Sequence, residues 1–94
     1  MIYLSKSTRS GKKWDVVLPD GHKVSFGAVG YQDYTEHHDP ERMHRYVMRH
    51  QRHEDWKDIH TAGFWSRWLL WSEPTMNKAI KRVERITRQK IVRV

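Results

Sequence analysis

Two short stretches near the start of the chain, residues 14–18 and 23–26, are rich in hydrophobic residues of extended type. In the second, Val24 and Phe26 alternate with Lys23 and Ser25, the period of a strand with one buried face. Between them, Pro19-Asp20-Gly21 supplies turn chemistry, because proline fixes one dihedral and glycine provides the positive one. The pair predicts a β-hairpin, to which residues 2–5 add a third strand. Residues 7–13 are polar, contain Gly11 and, with Lys6 beside them, carry Arg9, Lys12 and Lys13, a composition that predicts a mobile basic loop.

The period changes after an irregular connection marked by Gly27, Gly30 and the polar residues up to His38. Asp39 is an N-cap, Pro40 suits the first helical position, and Glu41 places an acid at the positive end of the helix dipole. A helix over 40–53 follows, with Met43, Tyr46, Val47 and His50 on one face and Arg42, Arg45, Arg49 and Arg52 on a neighbouring one. Thr61 caps a second helix over 62–71, with Gly63 tolerated near its start, and Glu73-Pro74-Thr75 ends it and caps a third over 76–87. Met76, Ala79, Ile80, Val83 and Ile86 form the apolar face of that third helix. Lys78, Lys81, Arg82, Arg85 and Arg88 cover most of the rest. Residues 90–94 alternate again and predict a short terminal strand. The expectation is an α+β fold: a small antiparallel sheet packed with about three helices.

At 94 residues the chain suffices for one core, so residues 1–94 are read as a single domain. Three Trp crowd the run Phe64-Trp65-Ser66-Arg67-Trp68-Leu69-Leu70-Trp71. They raise the area buried per side chain, with Trp65 or Trp68 expected inside and Trp56 and Trp71 half exposed. The absence of Cys excludes disulfides, thiolate zinc sites and a Cys nucleophile. No stretch is long and apolar enough for a membrane span, and residues 1–11 lack a signal core, so a soluble protein that is not secreted is expected.

Lys and Arg number 18 against 11 acids, a formal charge of +7, and the seven His add to it in mild acid. Such a field calls for a polyanionic partner: nucleic acid, an acidic protein surface or an anionic membrane. The four arginines of the first long helix span ~15 Å at 1.5 Å per residue, enough for several phosphates. A solvated face partly neutralised by Glu41 and Glu54 would have the same spacing. Among the His, residues 37 and 38 and the pair 50 and 53 invite a metal reading, completed by Asp33, Glu36 or Asp39. The ligand pattern of a ββα metal nuclease does not fall in register, and surface or core-capping His is the better account. No phosphate-binding glycine loop and no nucleophile elbow is present. The polar run Tyr31, Asp33, Tyr34 and Thr35 fits a site or the hydrogen bonding of irregular backbone.

The string Phe26-Gly27, Gly30-Tyr31, Asp33-Tyr34-Thr35, His37, Asp39, Arg42, Tyr46, Arg49-His50, Glu54 and Trp56, followed by Thr61-Ala62-Gly63-Phe64-Trp65-Ser66-Arg67-Trp68-Leu69-Leu70-Trp71 and Pro74-Thr75, resembles a family of small basic proteins of unassigned activity. Members of that family are encoded by large nucleocytoplasmic DNA viruses. The resemblance spans residues 14–80. It implies a viral source and a place in the virion or the host-cell interior, and it assigns no catalytic residue. Within the string, Arg67 is suited to stack on an indole while reaching an acid such as Asp33 or Asp39, or a phosphate. His50 reads as a hydrogen-bonded interior residue.

The combined expectation is a non-enzymatic protein that binds nucleic acid through phosphates. Its contacts would be Arg42, Arg45, Arg49, Arg52, Lys78, Lys81, Arg82 and Arg85, with no cofactor and no metal ligand. The alternative is a minor capsid or cement protein whose charge meets acidic capsid protein and whose exposed Trp anchor the contact. A metal-dependent nuclease using His37, His38, His50 or His53 is a further alternative.

Overall fold

Two tight turns join the first three strands into most of the sheet. In the computed structural model, which describes residues 1–94, β1 (Ile2–Lys6), β2 (Lys12–Val17) and β3 (Lys23–Ala28) pair antiparallel. The register sets Leu4 opposite Val16 and Val16 opposite Val24, so alternate residues form one apolar row. Ile2, Leu4, Val16, Val24 and Phe26 are buried, while Tyr3 and Val17 point the other way and are exposed.

The basic stretch over 7–13 is shorter and better tied than expected. Ser7 N–H donates to the Lys13 carbonyl at 3.1 Å and Lys12 N–H to Arg9 at 3.2 Å, so Lys12 and Lys13 already belong to β2. The buried Asp15 holds this turn from beneath, accepting from Ser7 Oγ at 2.7 Å and Ser25 Oγ at 2.6 Å, with Lys23 Nζ at 3.3 Å. Burial works against the Asp15 charge, but those donors outweigh it and hold its pKa below the ordinary carboxylate value.

A one-turn helix, α1 (Tyr34–His37), occupies part of the connection expected to be irregular. Its signal was present in the residues: Asp33 accepts from Thr35 N–H at 3.0 Å and Glu36 reaches back to Asp33 N–H at 3.3 Å, a capping box. Helix α2 (Pro40–His50) starts at Asp39 as its residues predict, but ends at His50 rather than at residue 53. Helix α3 (Ala62–Trp65), capped by Thr61, runs on as a π-helical segment, Ser66–Leu70. The buried pairs Phe64 and Trp65, then Leu69 and Leu70, recur at a five-residue interval. An α-helix would rotate that interval out of line, whereas a π turn keeps it on one face.

Helix α4 (Met76–Thr87) begins after Thr75 and buries Ala79 and Val83. The chain turns at Arg88, in the left-handed region at φ 56°, and enters β4 (Ile91–Arg93). That strand lies parallel to β1, which makes the sheet four-stranded and mixed, in the order β3-β2-β1-β4, rather than purely antiparallel. A strand arriving from a helix rather than from a hairpin can run beside β1 in the same direction. Glu84 fixes the junction by accepting from Ile91 N–H at 2.9 Å. The α+β architecture stands, with Trp65 enclosed, Trp56, Trp68 and Trp71 half-buried, and Ile86 exposed.

Candidate polyanion-binding cleft

A cleft of about 480 Å³ opens between the ends of β2 and β3, helix α2 and the start of α3. Its position follows from how α2 is held. Only Tyr46 of that helix is buried, and its ring lies flat on Trp71 at 4.4 Å and 1°, with His50 stacked on it at 4.2 Å. This aromatic stack is the buried anchor of α2, with Met43 and Val47 half-buried beside it. Arg42, Arg45 and Arg49 then line the cleft, and Lys12 and Lys13 line it from the strand side.

These five cations face two carboxylates in the lining, Asp33 and Glu54. Both acids are engaged by their own donors. Asp33 Oδ2 accepts from Lys13 Nζ at 2.8 Å while its Oδ1 caps α1. Burial disfavours the Lys13 ammonium, yet its hydrogen bonds to Asp33 and Glu36 prevail and raise its pKa. The same hydrogen bond from Lys13 lowers the pKa of Glu36. Lys13 is thus a strut between β2 and α1. Glu54 accepts from Trp56 Nε1 at 2.7 Å and faces His50 Nδ1 at 3.2 Å. Its carboxylate lies against Gly63, where an added Cβ would come within 2.9 Å of Glu54 Cδ. Gly63 therefore makes room for an acid and is more than a tolerated helix breaker.

The remaining cations are freer. Arg42 donates to the neutral Gln32 at 3.2 Å, and Arg45 lies 3.9 Å from Glu41, an exposed and weak pair. Lys12 and Arg49 have no carboxylate partner. Arg52, beyond the helix end, does not line the cleft, and neither do Lys78, Lys81 and Arg85, which are exposed on α4. Arg82 donates to Glu73 at 2.8 Å and sits over the Trp68 ring at 5.2 Å, so its charge is partly taken up within the fold. The eight cations read from the sequence therefore separate into a cleft group, an α4 group and Arg52. Lys12 joins the cleft group although its place in a basic loop gave no sign of it.

Trp71 and His50 line the cleft, while most of the other indoles and several histidines are committed elsewhere. Trp65 Nε1 donates to the Ile59 carbonyl at 2.7 Å and Trp68 Nε1 to the Trp56 carbonyl at 2.9 Å. Arg67 packs over Trp68 at 4.6 Å and Trp56 at 5.5 Å and donates to the Trp71 carbonyl, with no bond to Asp33 or Asp39. Burial, and then the Arg82 charge, lower its pKa. His37 Nδ1 accepts from Asp39 N–H at 3.0 Å, which leaves a buried Nε2 without a partner. Burial, reinforced by the Arg42 charge, lowers the His37 pKa and so disfavours the charged ring. His38 bonds the Pro74 carbonyl at 2.7 Å. His37, His38, His50 and His53 do not converge as a ligand set.

A family model described as "Family of unknown function (DUF5754)" matches residues 2–50, more than half of the chain. The chain belongs to the DUF5754 family. The matched span contains β1 to β3, α1 and α2, and so includes all five cations of the cleft in this DUF5754 protein. The wall formed by α3 and the π segment lies beyond it. Neither the curated proteins nor the solved structures contain a match. No helix is long and apolar enough to cross a membrane.

Proposed function

We propose that the protein binds nucleic acid non-enzymatically through backbone phosphates seated in the cleft. Arg42, Arg45, Arg49 and Lys12 are the principal contacts, and Lys78, Lys81, Arg82, Arg85 and Arg52 contribute a weaker outer field. The observation that carries this reading is the convergence of three helical guanidinium groups and a strand lysine on one concave surface whose two acids are already paired. Guanidinium groups bond phosphate oxygens bidentately, and contacts of this kind carry little sequence information. On the resemblance to small basic proteins of large DNA viruses, the bound polymer is a viral genome and the protein travels with the virion.

The capsid-cement reading rests on exposed Trp as anchors. It draws little support from indoles that are half-buried or enclosed and whose Nε1 groups on Trp56, Trp65 and Trp68 are already bonded. A titration across salt tests the nucleic-acid reading. With about four phosphates engaged, log affinity for duplex DNA should fall against log salt with a slope of roughly −3 to −4. A flat response, or binding unchanged when Arg42, Arg45 and Arg49 are replaced together, removes the proposal.

A further inference from the structure

Away from the cleft, the β2–β3 turn meets the loop that precedes α3. We propose that Asp20, His22 and His60 form a binding site for a divalent transition-metal ion of the zinc type. Asp20 Oδ2 lies 2.7 Å from His60 Nε2 and 3.1 Å from His22 Nδ1. The three donor atoms all lie within 4.8 Å of one another. Two ligands held at about 2.0–2.1 Å from one ion are about 2.9 Å apart at a right angle and about 3.3 Å apart at the tetrahedral angle. The two observed oxygen–nitrogen separations fall close to that range, so small rotations of exposed side chains complete the geometry.

The donors are positioned by their own backbone. Asp20 Oδ1 accepts from His22 N–H at 3.0 Å, which leaves Oδ2 turned toward the imidazoles. Gly21, at φ +88°, permits the turn that brings Asp20 and His22 to one side. Asp58 accepts from His60 N–H at 2.9 Å, and its Oδ1 also lies 3.4 Å from His60 Nδ1. A carboxylate on the far nitrogen of a ligating imidazole orients the ring and fixes the tautomer that presents Nε2 to the ion. The His22 and His60 rings meet edge-on, with centroids 5.2 Å apart.

Two imidazoles and one carboxylate suit a borderline cation such as zinc and disfavour magnesium or calcium, which prefer all-oxygen shells. The three side chains are 46–69% exposed, so an ion enters from solvent and water fills the remaining positions. The ion would link the hairpin to the loop whose Ile59 carbonyl accepts from Trp65 Nε1.

Untagged, chelator-treated full-length protein titrated with zinc chloride in a calorimeter tests the site. One equivalent is expected to bind. The paired substitution His22→Ala with His60→Ala should weaken binding by at least about 100-fold, and Asp58→Asn by about 10-fold. Replacement of the exposed His44 and His53 by Ala should leave it unchanged. Circular dichroism checks the fold of each variant, and His22→Gln with His60→Gln replaces the alanine pair if that pair unfolds. Failure of the wild type to bind one equivalent, or wild-type affinity in the His22/His60 double variant, overturns the proposal.

Discussion

Helices α2 and α4 are alike in length, cap and charge, with 11 and 12 residues, side-chain caps from Asp39 and Thr75, and basic residues along one face. They differ in what lies beneath them. Helix α4 buries the small residues Ala79 and Val83, which let its backbone approach the core closely. Helix α2 buries only Tyr46, whose ring meets Trp71 face to face. A helix seated on small side chains closes the space under it, and one propped on a ring leaves a cleft. The same spacing of basic residues, Arg42, Arg45 and Arg49 on α2 and Lys78, Lys81 and Arg85 on α4, therefore gives a lined concave site in the first case and a solvent-facing field in the second.

The largest effect that separates the two helices should be on binding. Replacing Arg42, Arg45 and Arg49 together by Ala is expected to weaken nucleic-acid affinity by about 100-fold or more, taking roughly 1 kcal/mol per charge-assisted contact. Replacing Lys78, Lys81 and Arg85 should change it only a few-fold, read by fluorescence anisotropy at fixed salt. Equal losses from both triples would erase the distinction between cleft and outer field.

Stability separates the helices next. Tyr46→Ala should cost about 3 kcal/mol and expose α2 amides to hydrogen exchange ahead of the sheet, since one ring holds that helix. Val83→Ala should cost about 2 kcal/mol and lower protection across the whole core instead, measured by denaturant unfolding with the same exchange readout. If both variants loosen the same amides, α2 is not an independently held element.

Gly27 sharpens the comparison on the strand side of the cleft. It adopts φ +79°, and an added Cβ would come within 2.9 Å of Leu70 Cδ1 and 3.1 Å of Lys13 Cβ. Gly27→Ala should destabilise by about 1–2 kcal/mol, from the left-handed backbone and the displaced Leu70. Thermal unfolding measures it, and a neutral result would mean that the cleft floor yields easily.

The smallest effect is a pH dependence at the junction of α1 and α2. His37 packs on Trp71 at 5.3 Å and faces Arg42, Asp39, Asp33 and His38; burial and the Arg42 charge set its pKa below the ordinary value. The unfolded chain therefore takes up this proton first. The stability contribution is complete above about pH 6.5 and declines as the pH falls through the folded pKa. His37→Asn should flatten that decline between pH 7 and 5. Parallel pH profiles for variant and wild type would show that the ring is protonated equally in both states.

Much of the fold could be read locally. Asp39, Thr61 and Thr75 mark helix starts with side-chain oxygens that accept from amides two or three residues on. The Asp33–Glu36 capping box was equally local, but its helix is one turn long and its polar residues resembled loop. The cleft was legible only in part. The arginine spacing on α2 was visible, whereas the role of Lys12 depends on a sheet register and the pairing of Arg82 on Glu73 across a turn.

Periodicity and capping act within a few residues, so the chain alone determined an α+β domain, its helix starts, its hairpin and its excess of positive charge. Which cations share a concave surface, that β4 joins β1 in parallel, and that His60 meets Asp20 forty residues away depend on contacts between distant segments. Those contacts are set by which side chains fit together once the core closes, and only the tertiary structure decided them.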